Sequence, residues 1–532
     1  MLEWYEGRDR PFDLDRVRAE YAAAVQRADG VQPGIIEFGG RPVGYVQWYR
    51  LGPFAEEYRW PPGETVDGVW GVDLFLGEPS LWGTGLGTRA LRALADHLLV
   101  GERASRVVID PRTVNVRAIR SYEKVGFRTR WVIPDHEAHE GRRWESTIMA
   151  LDADDDVAGI AAALARIGSI NPGLVAGASG ERDVAERVAA WGEAHGCAVH
   201  RSDAAPGRPN VVLVRRGRGG GRSLLFNGHL DTVGVSGPAT AEVRLDGGRL
   251  VGRGVLDTKG GLAAAMAAVV ALDGEALRGD VIIAAVADEE HGSLGTEALV
   301  REWSADAAVV LEPTDLVVVD EHRGFAVIDV VVEGRAAHTS RPDRGANAVH
   351  AAAAVVDTIR ALDATWADGG ADPVRRPSAL VSGIVSGGET FTVPPRCRLT
   401  VEVRTSGTDA PGQIEAVLDA VGAMSGMTDG CAVTATVAMA RPPLSSGAGA
   451  VGPGLQGIAA ALSAALARAG VAGVVGPAPY WTDAALHASS GTPAVVVGPL
   501  GEGLHEDEEW VDLASLRTLA AAFADLARTW TA

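Results

Sequence analysis

The chain has 532 residues, 47% of them apolar and 22% charged, with a formal net charge of −20 and three cysteines. This length is more than one hydrophobic core serves and predicts about three or four domains, while the composition excludes a disordered chain and, with no uncharged apolar run of about 18 residues, a membrane span. The negative charge argues against nucleic acid and anionic membrane as partners, and the scattered Cys197, Cys397 and Cys431 argue against disulfides or a thiolate metal site; they are expected to be buried thiols.

The start, Met1-Leu2-Glu3-Trp4-Tyr5-Glu6, is acidic and aromatic where a secretion signal is basic and apolar, so a cytoplasmic location is expected. Helical periodicity over Arg16–Arg27, Thr88–Leu99 and Val116–Val125 alternates with β-like runs at Gly34–Phe38, Pro42–Trp48, Trp70–Leu76, Arg106–Ile109 and Ser146–Leu151. These predict an α/β domain over residues 1–152. The acidic run Asp152-Ala153-Asp154-Asp155-Asp156 reads as a linker or a helix start, and the main boundary is placed there. Arg215–Arg222 is the one obvious basic patch. Between the apolar strands Val211–Val214 and Ser223–Phe226, it predicts a glycine-rich hairpin turn rather than an RNA-binding tail.

Helix and strand patterns alternate onward through Val319. A second set follows, with strands at Phe325–Glu333, Ala379–Ser386, Arg398–Arg404 and Ala432–Ala438 and helices at Ala346–Leu362 and Gln413–Met424. The order β-α-β-β-α-β predicts a ferredoxin-like α+β sandwich over 324–440, inserted into an α/β catalytic domain formed by 156–323 and 441–532.

The catalytic segments carry four short motifs in order: Asn227-Gly228-His229-Leu230-Asp231, Gly252–Gly261 with Asp257, Asp288-Glu289-Glu290, and Leu311-Glu312-Pro313-Thr314. His505 follows near the end. Imidazole nitrogen and carboxylate oxygen together suit a borderline metal such as zinc. At these residues the chain resembles the M20 metallopeptidases, which include acetylornithine deacetylase, succinyl-diaminopimelate desuccinylase, aminoacylase and glutamate carboxypeptidase. The resemblance implies two zinc or cobalt ions per chain, with Asp257 bridging them, His229 and Glu312 completing one site, and Glu290 and His505 the other. It further implies that Glu289 is the general base and that Asp231 accepts the second imidazole proton of His229. Two such ions polarise a carbonyl and lower the pKa of a water. In the inserted domain, Ala337-His338-Thr339-Ser340 with Gly345-Ala346-Asn347-Ala348 resembles the family segment whose histidine reaches a partner subunit's site, which implies a homodimer through this domain. Asn347 is taken with it as a substrate contact, and Arg404 matches the family arginine that grips a substrate carboxylate. Phe391 stands where many relatives carry Asn. Glu312, rather than Asp, resembles the deacetylase and desuccinylase side, which implies an N-acyl amino acid substrate rather than a peptide. His195, His291 and His322 match no motif and are read as structural.

In the first domain, Trp82-Gly83-Thr84-Gly85-Leu86-Gly87 follows a strand and opens a helix, so its backbone amides suit a pyrophosphate. Joined to Asp110-Pro111, Asn115–Arg120 and Ser121–Phe127, it resembles the GNAT acetyltransferases, most closely the aminoglycoside 6'-N-acetyltransferase type. The resemblance implies acetyl-CoA bound along Trp82, Gly83, Gly85 and Gly87, with Asn115 and Tyr122 near the thioester. Tyr122 would protonate the leaving thiolate, and Asp73 or Asp110 would bind or deprotonate an amine acceptor. Trp82 replaces the usual Gln or Arg, and the chain begins about where relatives have their first helix, so their first strand is expected to be missing. His136-Glu137-Ala138-His139 lacks one residue of the spacing of a zinc HExxH motif. The combined reading is a bifunctional N-acetyltransferase and metal-dependent amidohydrolase. The alternative is a carboxypeptidase-like M20 peptidase whose first domain only senses acetyl-CoA.

Overall fold

The computed structural model describes residues 13–26, 30–139, 141–237, 242–367, 372, 375–424, 430–445 and 454–532. Met1–Glu6 and the expected helix end at Arg27 lie outside them. The chain divides into two units, one of residues 1–168, 235–271 and 501–520, the other of residues 169–234, 272–500 and 521–532.

The first unit opens with a helix, Leu14–Val25, and a six-stranded sheet in the order Gln32–Phe38, Arg41–Arg50, Val69–Leu76, Arg106–Ile109, Arg142–Asp152, Arg128–His139. Val69–Leu76 and Arg106–Ile109 run parallel, and their pairing ends at Gly71 opposite Val108. The helices Leu86–Asp96 and Val116–Val125 bring Leu91, Leu94 and Val125 onto Trp70, Val72, Val107 and Phe127 in one core. Arg128–His139 is a strand that periodicity does not reveal, because Pro134 and two register shifts against Arg142–Asp152 break its alternation. The acidic run is a helix start. Asp156 caps Val157–Ala165, accepting from Ala158 N at 3.0 Å, and pairs with Arg92 at 2.6 Å. Within the same unit the helix Lys259–Ala271 is buried on nearly every side; even the Lys259 ammonium is buried, donating to the Ile167 carbonyl at 2.9 Å.

The second unit is built on an eight-stranded sheet, ordered Val475–Ala478, Val318–His322, Ala494–Val496, Ala307–Val310, Leu224–His229, Val281–Val286, Arg208–Arg215, Ala198–Ala205. The expected hairpin at Arg215–Arg222 is not there. Arg208–Arg215 pairs with Val281–Val286, which lies between it and Leu224–His229, so residues 216–222 cross over an intervening strand. Their glycines serve close approach: a Cβ on Gly217 or Gly221 would come within 2.4 or 2.1 Å of backbone oxygens. Asp280 pairs with one arginine of the basic run, Arg216, at 2.7 Å.

A four-stranded antiparallel sheet, ordered Ser378–Ser386, Arg396–Thr405, Gly324–Glu333, Ala432–Arg441, carries helices Ala348–Ala367 and Ala410–Gly422. Its strands alternate as the period-2 pattern requires, with Ala326, Ile328, Val330 and Val332 buried against Val355, Ile359 and Val417. All three cysteines are buried and free. Among the described residues no helix is long and apolar enough to cross a membrane.

Candidate active sites

Three parallel strands place the second unit's polar motifs along one edge. Leu224–His229 lies between Val281–Val286 and Ala307–Val310, with Val286 opposite His229 and Val310 opposite Asn227. His229 ends the central strand, Asp288-Glu289-Glu290 follows the second and Glu312 the third. Ligands of open α/β sheets bind at such carboxyl ends. His229 is buried, and its Nε2 lies 3.9 Å from Glu312 Oε1.

The expected His229–Asp231 contact takes a different form. His229 Nδ1 donates to the main-chain carbonyl of Asp231 at 2.9 Å, while the nearer carboxylate oxygen is 3.6 Å away. The carboxylate instead accepts the amides of Glu289 and Glu290, each at 3.1 Å, and the Asn171 Nδ2 at 2.7 Å. Burial pushes the Asp231 carboxyl up, but His229 and these donors outweigh it and hold it below the usual carboxylate range.

In the first unit, Arg249–Val251 pairs with Trp510–Asp512, which draws the turn before Lys259–Ala271 to the loop carrying His505. His505 Nε2 lies 3.8 Å from Asp257 Oδ2. Glu509, to which no sequence motif assigned a role, is buried and accepts from Leu256 N at 2.8 Å, Gly254 N at 2.9 Å and Asp257 N at 3.2 Å, with Arg253 Nη1 at 2.8 Å. One carboxylate thus fixes the turn that presents Asp257. Each unit by itself offers candidate ligands, His229, Glu290 and Glu312 in the second and Asp257 and His505 in the first. Imidazole and carboxylate without thiolate fit zinc or cobalt, and at 3.8 to 3.9 Å the two imidazole–carboxylate pairs are too open for hydrogen bonds.

The inserted domain's residues are more exposed. His338 is exposed, with Nδ1 2.9 Å from Ser340 Oγ. Asn347 spends its side-chain oxygen on the helix that follows, accepting from Val349 N at 3.0 Å and His350 N at 3.3 Å. Arg404 is 3.9 Å from Glu402 and stacks over Phe325 at 5.6 Å. The set-aside histidines are held by their surroundings. His195 stacks on Trp191 at 4.1 Å, His322 is buried and pushed down to about 4, and half-exposed His291 lies 3.9 Å from Asp288.

The N-terminal residues meet in one place. Beyond the end of the parallel pairing, a cavity of about 860 Å3 is lined by Asp73, Trp82, Gly83, Gly85, Gly87, Asp110, Asn115 and Tyr122. Gly85, at φ 84°, caps the helix Leu86–Asp96 in the left-handed region that favours glycine. Trp82 is anchored by its indole N–H on the Leu76 carbonyl at 3.0 Å, with Arg117 stacked over its ring at 4.6 Å. Asn115 Oδ1 caps the helix Val116–Val125 at Ala118 N, 3.2 Å away. At the other end, Asp73 accepts from Gln47 Nε2 at 2.8 Å and Asp110 from the Tyr58 hydroxyl at 3.1 Å. Burial pushes both carboxyls up, and for Asp110 the Asp73 charge adds to it. Burial also raises the Tyr122 hydroxyl, keeping it protonated. Two residues of the His136–His139 segment serve this end too: Glu137 clamps the Arg112 guanidinium at 2.6 and 2.7 Å, and part-buried His136 lies 3.6 Å from Asp110.

Residues 225–529, more than half of the chain, match peptidase family M20/M25/M40. The chain belongs to that family. Residues 4–133 match the acetyltransferase (GNAT) domain, so this M20 chain carries a GNAT domain at its N-terminal end. Acetylornithine deacetylase of Myxococcus xanthus is 34% identical over 227 residues, 41% of this chain and 59% of that protein. The chain therefore aligns with under two thirds of this relative's length. Aminoglycoside N(6')-acetyltransferase type 1 of Klebsiella pneumoniae is 36% identical over 140 residues, 26% of this chain and 69% of that protein. The crystal structure of aminopeptidase PepT from Bacillus cereus superposes with a TM-score of 0.58 at 18% identity, covering 70% of this chain and 98% of that one, a likeness of fold.

Proposed function

We propose that this chain is a bifunctional enzyme, a metal-dependent N-acyl amino acid deacylase joined to an acetyl-CoA-dependent N-acetyltransferase. The observation that carries the hydrolase half is the set of His229, Glu290 and Glu312 just at or beyond the carboxyl ends of three adjacent parallel strands, with His229 Nε2 3.9 Å from Glu312 Oε1; Asp257 and His505 are taken as the remaining ligands. Two zinc or cobalt ions held there would polarise the scissile amide carbonyl and make water acidic enough to attack. Glu289 takes the proton of the attacking water and returns it to the leaving amine. Asp231 and Glu509 hold the two turns that present Glu289, Glu290 and Asp257. Arg404 recognises the substrate carboxylate, Asn347 adds a substrate contact, and His338 serves a partner subunit's site. A homodimer through residues 324–440 accords with Ser378–Ser386, an edge strand whose Leu380, Ile384 and Val385 are exposed. The deacetylase relative and Glu312 favour an N-acyl amino acid over a peptide.

In the N-terminal half, the cavity suits acetyl-CoA along the glycine turn and a cationic amine at the acidic end. Asp110 and Asp73 draw in the ammonium and take its proton. The amine attacks the thioester carbonyl, and Tyr122 protonates the departing thiolate. We assign residues 1–152 to this activity, 156–323 and 441–532 to the hydrolase, and 324–440 to dimerisation, in a cytoplasmic protein. If both halves acted on one amine together, acetyl-CoA would only be hydrolysed. The two activities therefore serve different amines, or an amine protected first and released later. Mass-spectrometric screening of zinc-loaded protein tests this against N-acetyl and N-succinyl amino acids, dipeptides and aminoglycosides, with and without acetyl-CoA. Deacylation of the N-acyl amino acids and acetylation of an amine are expected. Dipeptide cleavage alone, without acetyl transfer, would replace this reading with that of a peptidase whose first domain only binds acetyl-CoA.

A further inference from the structure

A chain of buried polar side chains in the second unit ends on the turn that carries Glu289 and Glu290, and none of its links is a metal-ligand candidate. Glu181, wholly buried, clamps Arg208 through Nε at 2.9 Å and Nη2 at 2.5 Å. The same Nη2 lies 2.8 Å from Asp288 Oδ1. Asn171, also wholly buried, donates from Nδ2 to Asp288 Oδ1 at 3.0 Å and to Asp231 Oδ2 at 2.7 Å, and its Oδ1 accepts Gly173 N at 2.7 Å. Asp231 then receives the amides of Glu289 and Glu290.

Two features make this chain more than core filling. Asp288, immediately before the two glutamates, sits at φ 70°, in the left-handed region that is uncommon outside glycine and that Asp adopts at single turn positions. Arg208 and Asn171 hold its carboxylate there, and Gly292 leaves the room: a Cβ at Gly292 would lie 2.9 Å from Asp288 Oδ2. Secondly, Asn171 is a neutral donor shared by two buried carboxylates. Removing that donor costs Asp231 and Asp288 one hydrogen bond each and leaves two buried carboxylates facing each other, so the turn that Asp231 holds loses a fixed support.

We propose that Asn171 and Arg208 are positioning residues that set the Glu289-Glu290 turn, and that through it they control the ion site served by Glu290 separately from the one served by His229 and Glu312. This rests on the two-metal reading above. Partners one layer behind metal ligands change metal affinity by about 10- to 100-fold when removed.

The test is zinc binding by the intact chain, followed by calorimetry and by metal analysis after dialysis, for native protein and for Asn171→Leu, Arg208→Met and Arg208→Lys. The native chain is expected to show two sites. In Asn171→Leu and Arg208→Met one site should weaken by at least about 10-fold while the other keeps its affinity, so that metal content falls from two ions towards one. Arg208→Lys keeps the charge and should recover part of the loss, and it provides the reading if Asn171→Leu does not fold. Two native-affinity sites in all the variants would overturn the proposal and leave the hydrolase reading intact. Joint loss of both sites in the folded variants would also overturn it, by showing that the network supports the domain and not the turn. A native chain that binds no zinc would remove the two-metal reading, and this proposal with it.

Discussion

Two clusters of acids lie in this chain, and their surroundings differ. Around the hydrolase residues, carboxylates are tied to the backbone: Glu509 holds the amides of Gly254, Leu256 and Asp257, and Asp231 those of Glu289 and Glu290. In the N-terminal cavity Asp73 and Asp110 have neutral partners, Gln47 and Tyr58, and burial pushes their carboxyls up, helped by the Asp73 charge at Asp110 and by the Glu137 charge at Asp73. A tight, clamped cluster suits small divalent ions, whose charge does not titrate. A looser one around a cavity of about 860 Å3 suits a larger organic cation that brings its own proton. Preorganisation for a fixed charge and accommodation of a titrating one are two solutions to holding negative charge out of water.

The comparison breaks most sharply at Asp257. Asp257→Ala removes the ligand proposed to serve both ions, so metal content should fall for both sites and hydrolysis by more than about 1,000-fold, since several kcal/mol of carbonyl polarisation go with the ions. Retention of both ions, measured by metal analysis, would show that the residue is not shared. Glu289→Gln should keep the metals and lower the deacylation rate by about 100-fold or more, the usual contribution of a general base. Metal loss in that variant would mean that Glu289 and Glu290 have exchanged roles.

In the N-terminal cavity Tyr122→Phe should slow acetyl transfer by about 100-fold while acetyl-CoA still binds by calorimetry. The pH dependence there has a definite sign. Asp73 and Asp110 are raised, so affinity for a cationic acceptor should be lost as pH falls through values above the ordinary Asp range near about 4, and Asp110→Asn should flatten that limb. An acid limb at the ordinary Asp value would contradict the burial argument. The smallest effect is expected from Glu509→Gln, which keeps one acceptor oxygen for the 254–257 turn. Zinc affinity should weaken by about 10-fold without loss of fold, checked by competition with a chelator.

The candidate ligands are legible in the sequence because each sits in a short segment at the end of a strand or in a tight turn, with its neighbours supplying the context. The groups that hold them are not. Asn171 reaches Asp231 and Asp288, Arg208 reaches Glu181 and Asp288, and Glu509 reaches back to Gly254, all across sequence separations that no local pattern spans. The Asn171-Pro172-Gly173 turn was the one available signal, and it reads only as a turn. The failed hairpin at Arg215–Arg222 has the same origin: glycines between two apolar runs signal a reversal, and nothing nearby announces that Val281–Val286 will lie between them. The inserted domain was easy by contrast, since its six elements follow in chain order with clean periodicity and pack mainly on one another. The strand Arg128–His139 escaped because its bulges break the alternation by which strands are recognised.

The most direct test of the central claim is metal analysis of the purified intact chain after exposure to zinc and dialysis. Two ions per chain, falling for both sites in Asp257→Ala, are predicted. A native chain that retains none, or that retains the same metal with Asp257 removed, would contradict a two-metal hydrolase built on these residues.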